Sequence, residues 1–244
     1  MLSIVIPAYN EEKRIGRTLQ TLTSFFKNHQ IIVVFDGNDR TPEIVSRFPV
    51  DLYVSSSRLG KGGALREGIK RSKGDIIILL DADLPVQVES LFNVIKKLEQ
   101  ADLVITTRVF NTLPVSRGLL HRAFILTTKL FFPSLGQIRD FQAGLKVMKR
   151  DKVAQVMDDL IMNDWIFDVN LVYSFLRMGF KVVEVEIPWS HMEEGSKVSR
   201  KIAKVSLMML LSLIKLRTFY SPFRGVLRSR IYLQMEKTII QLLR

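Results

Sequence analysis

The stretch Ile76-Ile77-Ile78-Leu79-Leu80-Asp81-Ala82-Asp83 decides the fold of this chain. Five consecutive apolar residues predict a strand that is buried on both faces, as strands of parallel sheets are. The two carboxylates follow where the strand ends, and open α/β sheets bind their ligands at this carboxyl edge. A backbone turn would let Asp81 and Asp83 reach one divalent cation, since Mg²⁺ and Mn²⁺ prefer oxygen ligands. Taken alone, an Asp-x-Asp after a strand is more often a simple polar turn, so its surroundings matter.

Two strand patterns precede this stretch, and each ends in polar residues. Residues 2–6 lead into Pro7-Ala8-Tyr9-Asn10, and residues 31–35 lead into Asp36-Gly37. The segment between them predicts a helix that Asn10 caps and that has acidic residues in its first turn. A strand, a helix and a second strand predict a right-handed βαβ unit, on whose loops a nucleotide could bind.

A glycine-rich segment, Gly60-Lys61-Gly62-Gly63-Ala64, opens the helix before the central strand. Backbone N–H groups in such a segment form an anion-binding nest in some proteins and a purely structural turn in others. The spacing is not that of a Walker P-loop, which requires Gly-Lys-Ser/Thr after a glycine and four residues. The segment alone does not decide between the two interpretations.

Three arginines in the middle of the chain are candidates for binding phosphate. Arg108 ends a strand pattern, and Arg117 and Arg122 flank an apolar helix pattern at residues 119–132. Arginine binds phosphate oxygens in a bidentate manner. A solvated arginine on a helix face is the commoner explanation for Arg117 and for Arg122 when each is taken singly.

The segments that follow supply a glycine, an acid and an edge strand. Gly144 would let the backbone approach a ligand closely. Asp168 falls in the first turn of a predicted helix, where it could face a substrate or merely favour the helix dipole. Residues 181–187 alternate Val with Glu, which predicts an edge strand with one solvent-exposed face.

Length and composition limit the classes of protein that this chain can belong to. Its 244 residues, 47% of them hydrophobic, suffice for one large domain or for a domain with an appendage. The absence of cysteine excludes disulfides, thiolate catalysis and thiolate metal sites. The chain starts without a basic n-region or a cleavage site, so we expect it in the cytoplasm.

The net charge of +12 is concentrated in the last fifth of the chain. Residues 196–244 contain eleven Lys or Arg and one acid, Glu236, which leaves 25 basic and 23 acidic residues before them. The same segment is apolar, but residues 202–214 fall short of the ~20 that a membrane span needs. Basic apolar helices fit an anionic membrane surface better than a nucleic acid. Packing of these helices onto the domain or onto another subunit stays open.

Taken together, the motifs resemble the inverting family 2 glycosyltransferases, which have a GT-A fold. A narrower resemblance is to their dolichyl-phosphate β-glucosyltransferase branch, with the dolichyl-phosphate mannose synthases as close relatives. The residues that carry it cover nearly the whole chain: Pro7-Ala8-Tyr9-Asn10-Glu11-Glu12, Asp36-Gly37, Gly60-Lys61-Gly62-Gly63-Ala64, Asp81-Ala82-Asp83, Arg139-Asp140-Phe141-Gln142-Ala143-Gly144-Leu145-Lys146, Trp165-Ile166-Phe167-Asp168-Val169 and the segment from Trp189 to Gly195-Ser196-Lys197.

The resemblance implies an α/β fold of GT-A type, with a mostly parallel central sheet flanked by helices and with C-terminal amphipathic helices. Residues 1–195 would form the catalytic domain, and residues 196–244 would form basic helices at the membrane interface. The implied activity is metal-dependent transfer of a hexose, glucose in the first place, from a nucleotide sugar (UDP-glucose or GDP-mannose) to dolichyl or polyprenyl phosphate. The protein would lie peripherally on the cytoplasmic face of a membrane.

The resemblance also assigns roles to individual residues. Asp81 and Asp83 would hold Mg²⁺ or Mn²⁺, which stabilises the departing nucleoside diphosphate. The acceptor phosphate is already ionised, so Arg117 and Arg122 would position it and Asp168 would orient the sugar or assist the acceptor. Donor binding would involve a further set: Pro7, Tyr9, Glu11, Asp36, Lys61, Arg108 and Lys146.

Two positions depart from the family pattern. Many relatives have paired acids after the second strand, where this chain has Phe35-Asp36, so the contacts with the nucleobase can differ. Mannose-synthase relatives place a metal-binding Gln two residues after the metal-binding Asp, where this chain has Pro85.

Four other functions were weighed against glucosyl transfer to a lipid phosphate. Mannosyl transfer to the same acceptor needs the same residues. A sugar or glycolipid hydroxyl as acceptor would require a carboxylate base. A nucleotidyltransferase would place its glycine-rich loop near the first strand. A nucleic-acid-binding protein would need exposed stacking aromatics among its basic residues, and the basic tail has Leu and Met instead.

Overall fold

The computed structural model describes residues 1–109, 115–189 and 202–242, without the side chains of 115–120, 202–203 and 239–242. The chain forms two compact units. The first comprises Met1–Pro114 and Ile138–Met192, and the second comprises Val115–Gln137 and Glu193–Arg244.

A seven-stranded sheet forms the centre of the first unit. Its strands are β1 (Leu2–Ala8), β2 (Gln30–Phe35), β3 (Asp51–Val54), β4 (Ile76–Leu79), β5 (Leu103–Val109), β6 (Lys146–Lys149) and β7 (Val182–Pro188). The helices in chain order are α1 (Ile15–Phe25), α2 (Thr41–Val45), α3 (Gly60–Arg71), α4 (Val88–Lys97), α5 (Val115–Phe131), α6 (Arg150–Val156), α7 (Phe167–Arg177), α8 (Ile202–Phe219) and α9 (Arg230–Leu242). Of these, α5, α8 and α9 belong to the second unit.

The apolar run before Asp81 forms β4, the middle strand of the sheet. The strand order is β3-β2-β1-β4-β6-β5-β7, and within it only β6 is antiparallel to its neighbours. Ile77, Ile78 and Leu79 are fully buried, as the apolar run predicted. The expected mostly parallel sheet with flanking helices is therefore confirmed, and β7 lies at the edge as its alternating sequence predicted.

The strand register brings the candidate residues to one edge of the sheet. Ala8 pairs with Phe35, so β1 and β2 end together, and β4 runs in the same direction and ends at Leu79 opposite Val5. Because β6 runs in the opposite direction, its first residue, Lys146, pairs with Leu79 at the same edge.

The predicted capping of the first helix is wrong. The helix α1 begins at Ile15, and Asn10 has a positive φ of 56°. The Oδ1 atom of Asn10 instead accepts a hydrogen bond of 2.8 Å from the backbone N–H of Asn38. Asn10 therefore ties the loop after β1 to the loop after β2, which is a tertiary role that local sequence does not reveal.

The second unit is helical, and its helices are held together by apolar packing and an ion pair. The helix α5 packs against α8, in which Leu213 and Leu216 are buried. Lys215 of α8 contacts Glu236 of α9 at 2.5 Å. None of the helices in the described residues is both long enough and apolar enough to cross a membrane. The sequence predicted a single boundary at residue 195, whereas the structure also assigns Val115–Gln137 to the C-terminal unit, because α5 packs on α8.

Candidate active site

A tight turn places Asp81 and Asp83 at the end of the central strand. The backbone N–H of Leu84 donates to the carbonyl of Asp81 at 3.2 Å, and Leu84 takes a left-handed φ of 43°. The Oγ1 of Thr18, in α1, donates to the buried carbonyl of Ala82 at 2.7 Å. The turn is thus fixed to the helix behind it, and both aspartate side chains are partly exposed.

Two lysines and two aspartates form a chain of alternating charge beside this turn. The Nζ of Lys61 lies 3.0 Å from Oδ1 of Asp81 and 3.7 Å from Oδ2 of Asp168. The Nζ of Lys146 lies 2.6 Å from Oδ1 of Asp168 and donates to the carbonyl of Ala143, also at 2.6 Å. Both Lys146 and Asp168 are buried. Four residues that are far apart in sequence therefore share one network at the sheet edge.

Burial and neighbouring charges shift the pKa values of this network in different directions. Burial opposes ionisation of Lys61 and of Asp81, but their mutual attraction prevails, so the pKa of Lys61 is raised and that of Asp81 is lowered. Burial lowers the pKa of Lys146 in spite of the nearby Asp168. Burial, together with repulsion from Asp81, raises the pKa of Asp83. Of the two aspartates of this turn, Asp83 is thus the one whose ionised form the folded protein disfavours.

Gly144 leaves room for the carboxylate of Asp81. A Cβ atom at position 144 would lie 1.9 Å from Oδ2 of Asp81 and 2.2 Å from its carboxyl carbon. The sequence predicted that Gly144 allows a close approach to a ligand, and the close approach in the structure is to Asp81 itself. The glycine thereby fixes where that carboxylate can lie.

The carboxylate of Asp36, which follows β2, lies at the N-terminal end of α3. Its Oδ2 accepts hydrogen bonds of 2.8 Å from the backbone N–H groups of Leu59 and Gly60, and its Oδ1 pairs with Arg58. The guanidinium of Arg58 also lies over the ring of Tyr9, 3.4 Å from the centroid. Tyr9, Asp36 and Arg58 thus form one contiguous cluster after β1 and β2.

Gly62 and Gly63, in the glycine-rich segment at the start of α3, contact the loop before α7. The N–H groups of Gly62 and Gly63 lie 2.9 and 3.4 Å from the carbonyl of Asn163. A Cβ at position 62 would lie 2.5 Å from the carbonyl oxygen of Met162. The interpretation of this segment as an open phosphate nest is wrong, because these N–H groups already donate hydrogen bonds to a protein oxygen.

Glu11 and Asp83 share one cation. Arg14 lies 2.5 Å from Glu11 through its Nη2 and 3.6 Å from Oδ2 of Asp83 through its Nη1. The backbone N–H of Glu11 donates to Thr41 at 3.0 Å. Arg14 was not among the sequence-predicted residues, since it reads as part of an ordinary amphipathic helix.

Arg108 is held by the carboxylate of Asp140, whose role the sequence does not predict. Its Nε and Nη2 lie 2.6 and 3.0 Å from the two oxygens of Asp140. The backbone N–H of Asp140 donates in turn to Glu184 of β7 at 3.0 Å. The charge of Arg108 lowers the pKa of Asp81, so Arg108 acts electrostatically on the network.

The other predicted residues fall in different places. Pro7 lies on β1, in register with Val34. Trp165 is exposed, and its ring centroid lies 5.4 Å from the Nζ of Lys61. Arg122 is exposed on α5 in the second unit, and the side chain of Arg117 lies outside the described residues, as does the Gly195-Ser196-Lys197 motif.

No set of three or more histidine, aspartate or glutamate side chains that could hold a metal ion occurs in the described part of the chain. The two partly exposed carboxylates of the turn after β4, Asp81 and Asp83, are candidate ligands for a cation. Mg²⁺ is commonly bound by one or two carboxylates, with water and substrate phosphates as the remaining ligands. The donor set fits such an ion.

A family model described as "Glycosyl transferase family 2" matches residues 3–157. The chain belongs to this family. The match covers most of the sheet and the turn that holds Asp81 and Asp83, and it confirms the resemblance inferred from the sequence motifs. A family 2 member is expected to transfer a sugar from an activated donor.

Individual relatives agree with this membership. Glycosyltransferase AglD of Haloferax volcanii is 32% identical over 207 residues, which cover 77% of this chain but only 33% of that protein. The chain thus spans a third of the length of AglD. A dolichyl-phosphate beta-glucosyltransferase of Trichomonas vaginalis is 28% identical and covers 94% of this chain and 76% of its own length. The enzyme of the same name from Saccharomyces cerevisiae is 27% identical, with 91% and 76% covered.

Solved structures with similar backbones confirm the GT-A-type fold of this family 2 member. Glucosyl-3-phosphoglycerate synthase from Mycobacterium tuberculosis, in complex with phosphoglyceric acid, has a TM-score of 0.71 at 18% identity, covering 89% of this chain and 78% of that chain. The same enzyme in complex with Mn²⁺, UDP-glucose and phosphoglyceric acid has a TM-score of 0.68 at 18% identity, covering 87% and 79%.

Proposed function

We propose that this family 2 glycosyltransferase moves glucose from UDP-glucose to dolichyl or another polyprenyl phosphate, with inversion at the anomeric carbon. The names of its relatives in Trichomonas and yeast support this donor sugar and this acceptor. The observation in the structure that favours a phosphate acceptor is the state of Asp168. Its two oxygens lie within 2.6 and 3.7 Å of lysine ammonium groups, and the residue is buried.

The contacts of Asp168 with the two lysines help to distinguish between acceptors. A hydroxyl acceptor needs a base, and a phosphate acceptor does not. Each oxygen of Asp168 already contacts a lysine ammonium group, so this carboxylate is engaged within the protein. A phosphate monoester is already largely ionised at neutral pH and can attack without losing a proton to the enzyme. In this proposal Asp168 is a positioning residue that holds Lys61 and Lys146 at the site.

Donor binding is assigned to the loops at the carboxyl edge. The exposed Tyr9, with Arg58 over its ring, offers a flat surface for a nucleobase, and Asp36 keeps that arginine in place. Glu11 and Pro7 flank this surface from β1 and its loop. Lys61 and Arg108 are the cations assigned to the diphosphate or sugar oxygens, and Lys146 supports them through Asp168.

Asp81 and Asp83 are proposed to hold Mg²⁺ or Mn²⁺ when the donor is bound. Such an ion supplies Lewis-acid stabilisation of the charge that develops on the diphosphate leaving group. The raised pKa of Asp83 supports the assignment, because the protein keeps this partly buried carboxylate beside the like charge of Asp81. The remaining work of the protein is to orient the reactants and to stabilise charge.

Contact with an anionic membrane surface is assigned to the second unit. Leu126 and Leu130 of α5 are 68% and 79% exposed, and the exposed Arg122 precedes Leu126 by one turn. Further exposed apolar residues accompany the basic ones near the C-terminus: Phe223, Val226, Ile231 and Met235. Apolar side chains beside arginines favour the boundary between lipid tails and headgroups. Arg117 and Arg122 would there receive the acceptor phosphate, with the protein peripheral on the cytoplasmic face.

Radiolabelled nucleotide sugars test the proposal. Purified protein is incubated with Mn²⁺ or Mg²⁺, a short-chain polyprenyl phosphate and either UDP-glucose or GDP-mannose, and label in the organic phase is counted. We expect label from UDP-glucose and a β-linked product by NMR. If only GDP-mannose gives label in the organic phase, the transferred sugar is mannose and not glucose. Label in the aqueous phase with a sugar acceptor, abolished by Asp168→Asn, would establish a hydroxyl acceptor instead.

A further inference from the structure

Lys61 is the member of the charge network that can change partners. Its side chain is 14% exposed, whereas that of Lys146 is 1% exposed and is fixed between Asp168 and the carbonyl of Ala143. Lys61 is attached at the start of α3, and its ammonium reaches Asp81 at 3.0 Å through a flexible four-carbon chain.

The carboxylate that Lys61 contacts is held in place. Gly144 lies directly against the Asp81 side chain, because a Cβ atom at position 144 would be 1.9 Å from Oδ2 of Asp81. The turn that follows Asp81 is tied to α1 through Thr18. Oδ2 of Asp81 faces Gly144 and Oδ1 contacts Lys61, so both oxygens of this carboxylate already have a close neighbour in the protein. A divalent ion bound to Asp81 and the nearby Lys61 ammonium would repel each other, so binding of the ion favours movement of Lys61 away from Asp81.

A second carboxylate is in position to receive Lys61. Oδ2 of Asp168 lies 3.7 Å from the Lys61 ammonium, and the other oxygen of Asp168 is anchored by Lys146 at 2.6 Å. A small rotation of the lysine side chain exchanges Asp81 for Asp168 as its main partner. The two arrangements differ in whether Asp81 is available.

From this geometry we propose that Lys61 is an internal counter-ion that occupies Asp81 until the donor arrives, and that it couples divalent-cation binding to nucleotide binding. Without nucleotide, a divalent ion must displace a cation that is already paired. With nucleotide, the diphosphate offers Lys61 a new anionic partner and Asp81 is released. The inference rests on the metal site assigned under the proposed function and adds to it an order of binding: the free protein binds the ion weakly, and the nucleotide strengthens that binding.

Titration of free Mn²⁺ by electron paramagnetic resonance, with and without UDP, tests the proposal without any turnover. In the wild-type protein we expect weak Mn²⁺ binding that UDP strengthens. Lys61→Met and Lys61→Gln should each bind Mn²⁺ without UDP at least about tenfold more tightly than wild type, within the usual range of coupling between sites. The enhancement by UDP should fall in both variants.

Two controls separate the role of Lys61 from a general effect of charge. Lys70→Met removes the same charge from an exposed position on the same helix and should leave Mn²⁺ binding unchanged. Lys61→Arg keeps the charge beside Asp81 and should keep Mn²⁺ binding weak without UDP. Circular dichroism verifies that each variant is folded.

The outcomes distinguish this inference from the proposed function. If Lys61→Met and Lys61→Gln are folded and bind free Mn²⁺ no better than wild type, the counter-ion role is refuted while the metal site stands. If the wild-type protein binds no Mn²⁺ even with saturating UDP, the assignment of the metal to Asp81 and Asp83 fails, and the inference fails with it.

Discussion

The ionised side chain of Asp83 lowers the stability of the folded protein. Burial and repulsion from Asp81 raise its pKa, so the folded protein binds a proton at Asp83 more tightly than the unfolded chain does. The ionised side chain therefore destabilises the fold, and this penalty disappears as the pH falls through the folded-state pKa. A residue kept in this state is expected to serve binding.

Replacement of Asp83 by Asn should therefore separate activity from stability. Without this ligand we expect glucosyl transfer to fall by about three orders of magnitude, since a Lewis acid contributes several kcal/mol to such a transition state. The melting temperature at pH 7 should stay the same or rise. Differential scanning fluorimetry and the radiolabel assay measure the two effects. A melting temperature several degrees lower than wild type would contradict the electrostatic argument.

The Gly144→Ala variant should inactivate the enzyme through Asp81. The added methyl group overlaps the Asp81 carboxylate, so that side chain must leave its position beside Lys61. We expect kcat/KM to fall at least about 100-fold, as for other misplacements of roughly 1 Å at a reacting centre. Gly225→Ala is the matched control, because a Cβ there meets no atom within 4 Å. Equal activity of the two variants would show that the contact is unimportant.

Single residues were predictable where their chemistry follows from local pattern. An acid directly after a buried strand lies at the sheet edge whatever the rest of the chain does, so Asp36, Asp81 and Asp83 could be located from the sequence. The roles of Arg58 and Asp140 could not be found in this way. Their partners lie 22 and 32 residues away, and only tertiary packing brings them together.

At the scale of elements, the N-terminus of α3 shows why a glycine-rich motif is ambiguous. Its N–H groups do bind anionic and carbonyl oxygens, as the nest interpretation required, but the oxygens belong to Asp36 and Asn163. The glycines allow the helix start to pack against the loop before α7. The motif therefore positions Lys61 in place of binding phosphate through its backbone.

The end of β5 depends on the loop before β6 in a comparable way. Arg108→Lys keeps the charge but loses the bidentate contact with the buried Asp140. We expect a loss of unfolding free energy of about 2 kcal/mol, typical of a hydrogen bond to a charged group, together with a higher KM for the nucleotide sugar. Urea denaturation and steady-state kinetics measure these quantities.

The neighbouring Arg139→Lys provides the comparison for Arg108→Lys. Arg139 pairs with Glu184 and Glu186 but is more than half exposed, so its replacement should lower stability much less than Arg108→Lys does. If both variants lost the same stability, the burial of the Arg108–Asp140 pair would have no energetic consequence.

For the whole molecule, the segregation of charge and apolar residues could be read from the sequence, but the composition of the second unit could not. The basic tail is obvious from residues 196–244 alone. Val115–Gln137 joins it because α5 packs on α8, and that pairing connects segments more than 60 residues apart. The exposed leucines of α5 consequently belong to the unit that carries most of the net positive charge.

Replacing Leu126 and Leu130 by Asp tests whether this unit binds membranes. The double variant removes exposed apolar surface and adds two negative charges, so co-sedimentation with vesicles that contain phosphatidylserine should fall about tenfold or more. Met178→Glu, at an exposed apolar residue of the first unit, should bind vesicles like the wild type. Transfer to a detergent-dispersed short-chain acceptor should be reduced less than transfer to an acceptor embedded in vesicles, because only the second reaction requires docking. Undiminished vesicle binding by the double variant would mean that the leucines of α5 do not contact lipid.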